Sequence, residues 1–181
     1  MSLILEVPKE YGYVLAVATS TIFVNTYHKI IASTARKASG LTYPIPYASQ
    51  EQAAKDPKAY KFNLAQRAHA NFGENLTPFL TGLLVAGLGY PTQATWAGSA
   101  WVVGRFAYAY AYTNWGPSGR LYGYVISQLG KMAITTMAVL TCWNMVKAAP
   151  DDRFGLTAQH AVTAVTHRRP TQQTTHIYLV V

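Results

Sequence analysis

Arg67, Asn71 and Glu74 stand at i, i+4 and i+7, and Arg105, Tyr108 and Tyr112 stand at i, i+3 and i+7. At about 100° per residue each trio shares one face of a helix. Arg120 follows behind the break Asn114-Trp-Gly-Pro-Ser-Gly119. Arginine forks bind carboxylates bidentately, and a single glutamate can hold an amine. The set suits a small ligand that carries more than one carboxylate and one ammonium group. It offers no His/Cys cluster for a metal and no second carboxylate for paired acid–base work.

These residues border a stretch with a membrane signature. No charged residue occurs from Asn75 to Gly104, and Tyr11 to His28 is free of Asp, Glu, Lys and Arg. A charged side chain at membrane depth costs at least about 2.5–3.5 kcal/mol on insertion scales, so charges at such places are functional candidates by default. Half of the 181 residues are hydrophobic and 12% are charged, about half the share usual in soluble domains. The net charge of +8 admits nucleic acid, anionic lipid or an anionic ligand. No basic run is longer than a pair (Arg36-Lys37, Arg168-Arg169), which disfavours nucleic acid.

A crossing helix needs about 20 mostly apolar residues. The pattern predicts an all-α integral membrane fold, a four-helix transmembrane bundle with helices over about 10–36, 62–88, 92–113 and 120–147. Together they form one membrane domain over 1–148. The polar 36–61 segment, with Pro44, Pro46 and Pro57, reads as a loop, Gly87-Leu-Gly-Tyr-Pro91 as a tight turn, and 149–181 as a disordered polar tail. Ala107–Tyr112 alternates like a strand, but an isolated strand cannot satisfy its backbone in lipid, so helix is expected there. No cleavable signal peptide is evident, and the first apolar segment is expected to be a retained helix. Positive residues concentrate on the 37–61 loop and at Arg120, which places that side in the cytosol. Arg36 ends the first helix, Arg67–Glu74 and Arg105–Tyr112 lie on the next two, and Arg120 opens the fourth. All four helices then bring polar residues to one membrane level.

Plainer roles compete. Arg67 and Glu74 could simply pair, Tyr108 and Tyr112 could be belt aromatics like Tyr110, Tyr122 and Tyr124, and Arg120 could be an interfacial anchor. Lys131, inside the fourth apolar segment, is expected to snorkel or to line the interior of an oligomer. Cys142 reads as an inert buried thiol, and Gly82, Gly87 and Gly98 as close helix-packing positions.

Phe62-Asn-Leu-Ala-Gln-Arg67-Ala-His69-Ala-Asn71-Phe-Gly-Glu74, Gly104-Arg105-Phe-Ala-Tyr108-Ala-Tyr-Ala-Tyr112 and Pro117-Ser-Gly-Arg120 closely resemble the MAPEG family of membrane-associated eicosanoid and glutathione proteins. Within it the chain is similar to the third type of microsomal glutathione S-transferase, in Lys9–Tyr13, Ala35-Arg-Lys37 and Tyr43-Pro44-Ile45 as well. The resemblance covers about residues 8–147. It implies a homotrimer in the endoplasmic reticulum or another microsomal membrane, with glutathione as co-substrate bound near the cytosolic face between neighbouring subunits. Arg36, Arg67, His69, Asn71, Glu74, Arg105, Tyr108 and Tyr112 would hold glutathione, and Arg120 would stabilise its thiolate as the catalytic residue. The implied activity is glutathione transfer to a lipophilic electrophile, with reduction of lipid hydroperoxides beside it. Two further expectations stay open: leukotriene C synthase-like conjugation of a lipid epoxide, and a non-catalytic lipid-binding or scaffold member. The chain departs from leukotriene C synthase in having Asn75 where a tyrosine follows the glutamate and His69 in place of a glutamine. Its turn before Arg120 is also one residue longer.

Overall fold

The computed structural model describes residues 3–148 and 175–179. Four α-helices make its body: α1 (Tyr11–Ser39), α2 (Gln50–Lys55), α3 (Pro57–Gly89) and α4 (Pro91–Ala148). Each boundary has a local cause. Gly40 closes α1 at φ 70°, a left-handed conformation that glycine adopts without penalty. Ser49 and Gln52 form a reciprocal capping box at the start of α2. Asp56 caps α3 and Pro57 occupies its first turn.

The 36–61 segment is thus more than a loop. It contains α2 and the first turn of α3, which begins at Pro57 rather than near 62. Neither piece carries an apolar stripe that periodicity could detect. The turn expected at 88–92 is present, since α3 ends at Gly89 and α4 begins at Pro91. The break expected at 114–120 narrows to Gly116, non-helical at φ 75° and ψ −162°. It divides α4 into two limbs, 91–115 and 117–148.

α3 packs against both α1 and α4. Val14, Val17 and Val24 of α1 meet Phe72, Phe79 and Leu83 of α3, Trp101 of the first limb and Ile134 of the second. Phe79 and Trp101 stack at 3.7 Å and 9°. The helices approach closely at the expected glycines: a Cβ at Gly82 would lie 3.0 Å from Ile134, at Gly87 2.8 Å from Val14 and at Gly98 2.8 Å from Val17. A closer approach joins the two limbs, where a Cβ at Gly123 would run into the backbone of Tyr108.

By length and composition one helix, Pro91–Lys147, is long and apolar enough to cross a membrane, where the sequence pattern predicts four crossings. Each of its limbs exceeds the about 20 residues that a crossing needs. α3 spends its first half on the polar run from Lys58 to Glu74, and α1 is diluted by Thr, Ser, Tyr and His. Large apolar side chains nonetheless face outward on α1 and both limbs, among them Ile22, Phe23, Val103, Leu129, Met132 and Val139. An exposed apolar surface of that kind marks contact with lipid or protein.

Leu3–Val7 (β1) pairs antiparallel with Thr175–Leu179 (β2), Leu5 opposite Ile177. Most of the expected 149–181 tail lies outside the described residues; within it, Thr175–Leu179 is a strand and not irregular chain. Cys142 is exposed rather than buried. Its apolar neighbours line an open groove between α3 and the second limb, so they shape a surface and not the core.

Candidate functional site

Tyr108 marks the centre of the site. Its ring and that of Tyr112 lie 5.5 Å apart and pack on Leu64 and Ala68 of α3, both tyrosines being buried. Three guanidinium groups, of Arg120, Arg105 and Arg67, lie close enough to interact electrostatically with the Tyr108 phenol. They arrive from three segments: Arg67 on α3, Arg105 on the first limb of α4 and Arg120 just past the Gly116 kink. Arg120 stands over the Tyr112 ring at 5.6 Å.

Arg105 is 1% exposed. Its Nη1 donates to Asn71 Oδ1 at 2.8 Å, and its guanidinium lies over the rings of Trp101 at 5.1 Å and Tyr108 at 5.7 Å. No carboxylate faces it among the described ion pairs. Aromatic faces and one amide oxygen soften the cost of its burial but leave the charge uncompensated. Its Nε is buried without a partner, so part of the fork remains free to donate. Behind it, His28 Nε2 lies 3.3 Å from the Arg105 carbonyl and the His28 ring stacks on Phe72 at 4.8 Å, which fixes the backbone that carries the guanidinium.

Arg67 and Glu74 do pair, Nη1 to Oε1 at 3.1 Å, with each side chain 53% exposed. Pairs that wet contribute about 0–1 kcal/mol, so a ligand with its own carboxylate and amine can open this one at little cost. Tyr47, from the segment before α2, also interacts with Arg67. Sequence patterning missed it, because no helical spacing ties a loop tyrosine to α3.

Seven of the nine expected residues therefore meet: Arg67, Asn71, Glu74, Arg105, Tyr108, Tyr112 and Arg120. Two do not. His69 is two positions from Arg67, about 200° around the helix, and its ring faces His28 of α1 at 6.4 Å. Arg36 donates to the Ile45 carbonyl at 2.7 Å and sits over Tyr43 and Phe62 at 4.3 and 4.5 Å. Within one protomer both belong to the α1 side of α3. Of the two roles expected for Lys131, snorkelling is not seen: its Nζ donates to Asn75 Oδ1 at 2.8 Å.

The seven residues hold three positive charges and one negative. That excess, half-sunk among aromatic rings, fits an anion with two or more negative groups and a single amine. No His/Cys/Asp/Glu group able to hold a metal is found among the described residues. Compared with known families, the chain matches the MAPEG family over residues 14–140, well over half its length, and it belongs to that family.

Proposed function

We propose that this MAPEG-family chain is a membrane-embedded glutathione transferase that also reduces lipid hydroperoxides, of the kind found in the third microsomal type. Proteins of this family are membrane-associated, bind glutathione and in general form trimers. The observation that carries the proposal is the convergence of Arg67, Arg105 and Arg120 on Tyr108 with Glu74 as the one carboxylate. Glutathione has two carboxylates, one ammonium group and a thiol. Arg105 and Arg67 would take the carboxylates, Glu74 the ammonium, and Arg120 the sulfur. Asn71 would hold the Arg105 fork in register, while Tyr108 and Tyr112 wall the site and donate hydroxyls. A site between neighbouring subunits would also bring Arg36 and His69, on the far face of α3, to the glutathione of the adjoining copy.

A free thiol has a pKa of about 8.5, so a few per cent is thiolate at neutral pH. A guanidinium at hydrogen-bond distance in a poorly hydrated site favours the anion, and a two-unit drop corresponds to about 2.7 kcal/mol. The thiolate then forms a carbon–sulfur bond to an electrophile and expels its leaving group. With a hydroperoxide, sulfur attacks the peroxidic oxygen and releases the alcohol; a second glutathione completes the disulfide and water. The site faces the cytosol, where glutathione is available, and lipophilic partners arrive from the microsomal bilayer. Epoxide conjugation of the leukotriene C synthase type would use the same thiolate.

Detergent-purified protein tests this with glutathione and either 1-chloro-2,4-dinitrobenzene or a fatty-acid hydroperoxide. Turnover on at least one, lost in Arg120→Ala, is expected. No turnover on either, with labelled glutathione also failing to bind in equilibrium dialysis, would leave the scaffold alternative in its place.

A further inference from the structure

The polar stripe of α3 begins one turn before Arg67. Asn63, Arg67, Asn71 and Glu74 stand four, four and three apart, so they share one face of the helix. Asn63 holds the chain that precedes α2: its Oδ1 accepts from the Ala48 N–H at 2.8 Å and its Nδ2 donates to the Ala48 carbonyl at 2.9 Å. One side chain thus clamps both backbone groups of one residue, and Ala48 is buried. The same chain is held at two further points. Arg36 donates to the Ile45 carbonyl at 2.7 Å and lies over Tyr43, and Leu41 packs on the cluster of Ala32, Ala35, Phe62 and Ala65. Pro44 and Pro46 fix the backbone φ between those points. Residues 41–49 therefore form a fastened strap.

The strap sets Tyr47 beside Arg67. Tyr47 precedes the clamped Ala48, and Arg67 follows Asn63 by one helical turn. The Tyr47 phenol is accordingly close enough to interact with the Arg67 guanidinium. Arginine has donors and no acceptor, so the phenol oxygen can accept from it while the phenol hydrogen needs an acceptor other than Arg67. Arg67 also holds Glu74, Nη1 to Oε1 at 3.1 Å. A phenol donor, a guanidinium and a carboxylate gathered in this way match an α-amino acid, whose carboxylate and ammonium group share one carbon. Its carboxylate would take Arg67 and the Tyr47 hydroxyl, and its ammonium group Glu74.

We propose that Tyr47, Arg67 and Glu74 form the seat of an α-amino acid head group, the γ-glutamyl end of glutathione, with Asn63 as the positioning residue that holds Tyr47 in it. The glycine carboxylate then falls to Arg105, whose buried fork comes from the first limb of α4. The inference rests on the glutathione reading and adds to it which end of the tripeptide each arginine takes. It also makes Tyr47 a determinant of specificity, since a thiol without the amino acid head group gives the phenol no carboxylate to bind.

The test is equilibrium dialysis of detergent-purified protein with labelled glutathione, competed by γ-glutamylcysteine or by cysteinylglycine. The first dipeptide keeps the head group and the second lacks it. A hydrogen bond to a charged group changes affinity about tenfold or more. Tyr47→Phe should therefore weaken glutathione and γ-glutamylcysteine by about tenfold and leave cysteinylglycine unchanged. Asn63→Leu should reproduce that pattern, and the double variant should be no weaker than Asn63→Leu alone, since Asn63 acts through Tyr47. A residue that merely stabilised the fold would weaken all three thiols together, and thermal unfolding of each variant confirms that it is folded. Equal glutathione affinity in wild type and Tyr47→Phe, or a loss that cysteinylglycine shares, overturns the seat while glutathione binding stands. Losses that add in the double variant overturn the role of Asn63. Wild type that retains no labelled glutathione overturns the glutathione reading and the seat with it.

Discussion

Arg105 is buried with an amide and two aromatic rings around its charge. A ligand carboxylate would supply the missing counter-charge through the planar fork, so Arg105→Lys, which loses the fork, should bind glutathione nearly as poorly as Arg105→Met. Asn71→Leu removes the one hydrogen bond that orients the guanidinium. Glutathione affinity in equilibrium dialysis should then fall about tenfold, the cost of a buried charged donor left unpaired. Arg120 has the opposite profile, since it stands at the edge and would act on sulfur: Arg120→Ala should lower kcat about a hundredfold or more and change the glutathione Kd little. Its remaining rate should rise with pH toward the free-thiol midpoint of about 8.5, because the thiolate is then unassisted. At this scale the sequence was legible where helical spacing alone decides the face, as for Arg67, Asn71 and Glu74. His69 was grouped with them by motif, yet its angle on α3 turns it toward His28. The Lys131–Asn75 bond was not legible, because it depends on the register between α3 and the second limb, which packing sets.

The element that places Arg120 is the kink in α4. Gly116 sits at φ 75° and ψ −162°, a region essentially confined to glycine, where a residue with a side chain is strained by about 1–3 kcal/mol. Gly116→Ala should lower the thermal midpoint and shift Arg120 against Tyr112, which would be read as a loss of kcat greater than the loss of glutathione affinity. Past the kink, Gly123 lets the second limb lie directly on the backbone of Tyr108. Gly123→Leu should therefore part the limbs, destabilise the protein strongly and weaken glutathione binding as Tyr108 moves. The helices themselves were legible from charge-free runs and the Gly-Tyr-Pro turn. The capped α2 and the early start of α3 were hidden, because caps and proline placement set them rather than an apolar stripe.

At the scale of the whole molecule, the protein has two polar faces, one around Tyr108 and one holding Arg36 and His69, on opposite sides of α3. A homotrimer that closes one face against the other in each neighbour would use both. Arg67→Ala and His69→Ala subunits expressed together should then recover more activity than either alone, since mixed trimers contain sites carrying neither substitution, and native mass spectrometry should report three copies per particle. Activity no higher than the sum of the separate variants would confine the site to one protomer. Sequence could not supply this arrangement, because interfaces between copies leave no periodic trace in one chain. The most direct measurement of the central claim is the ultraviolet thiolate absorbance that appears when glutathione is added to purified protein over a range of pH. A signal that titrates about two units below the free thiol, and returns toward about 8.5 in Arg120→Ala that still binds glutathione, is predicted. The same midpoint in both proteins, or no bound glutathione in wild type, would contradict it.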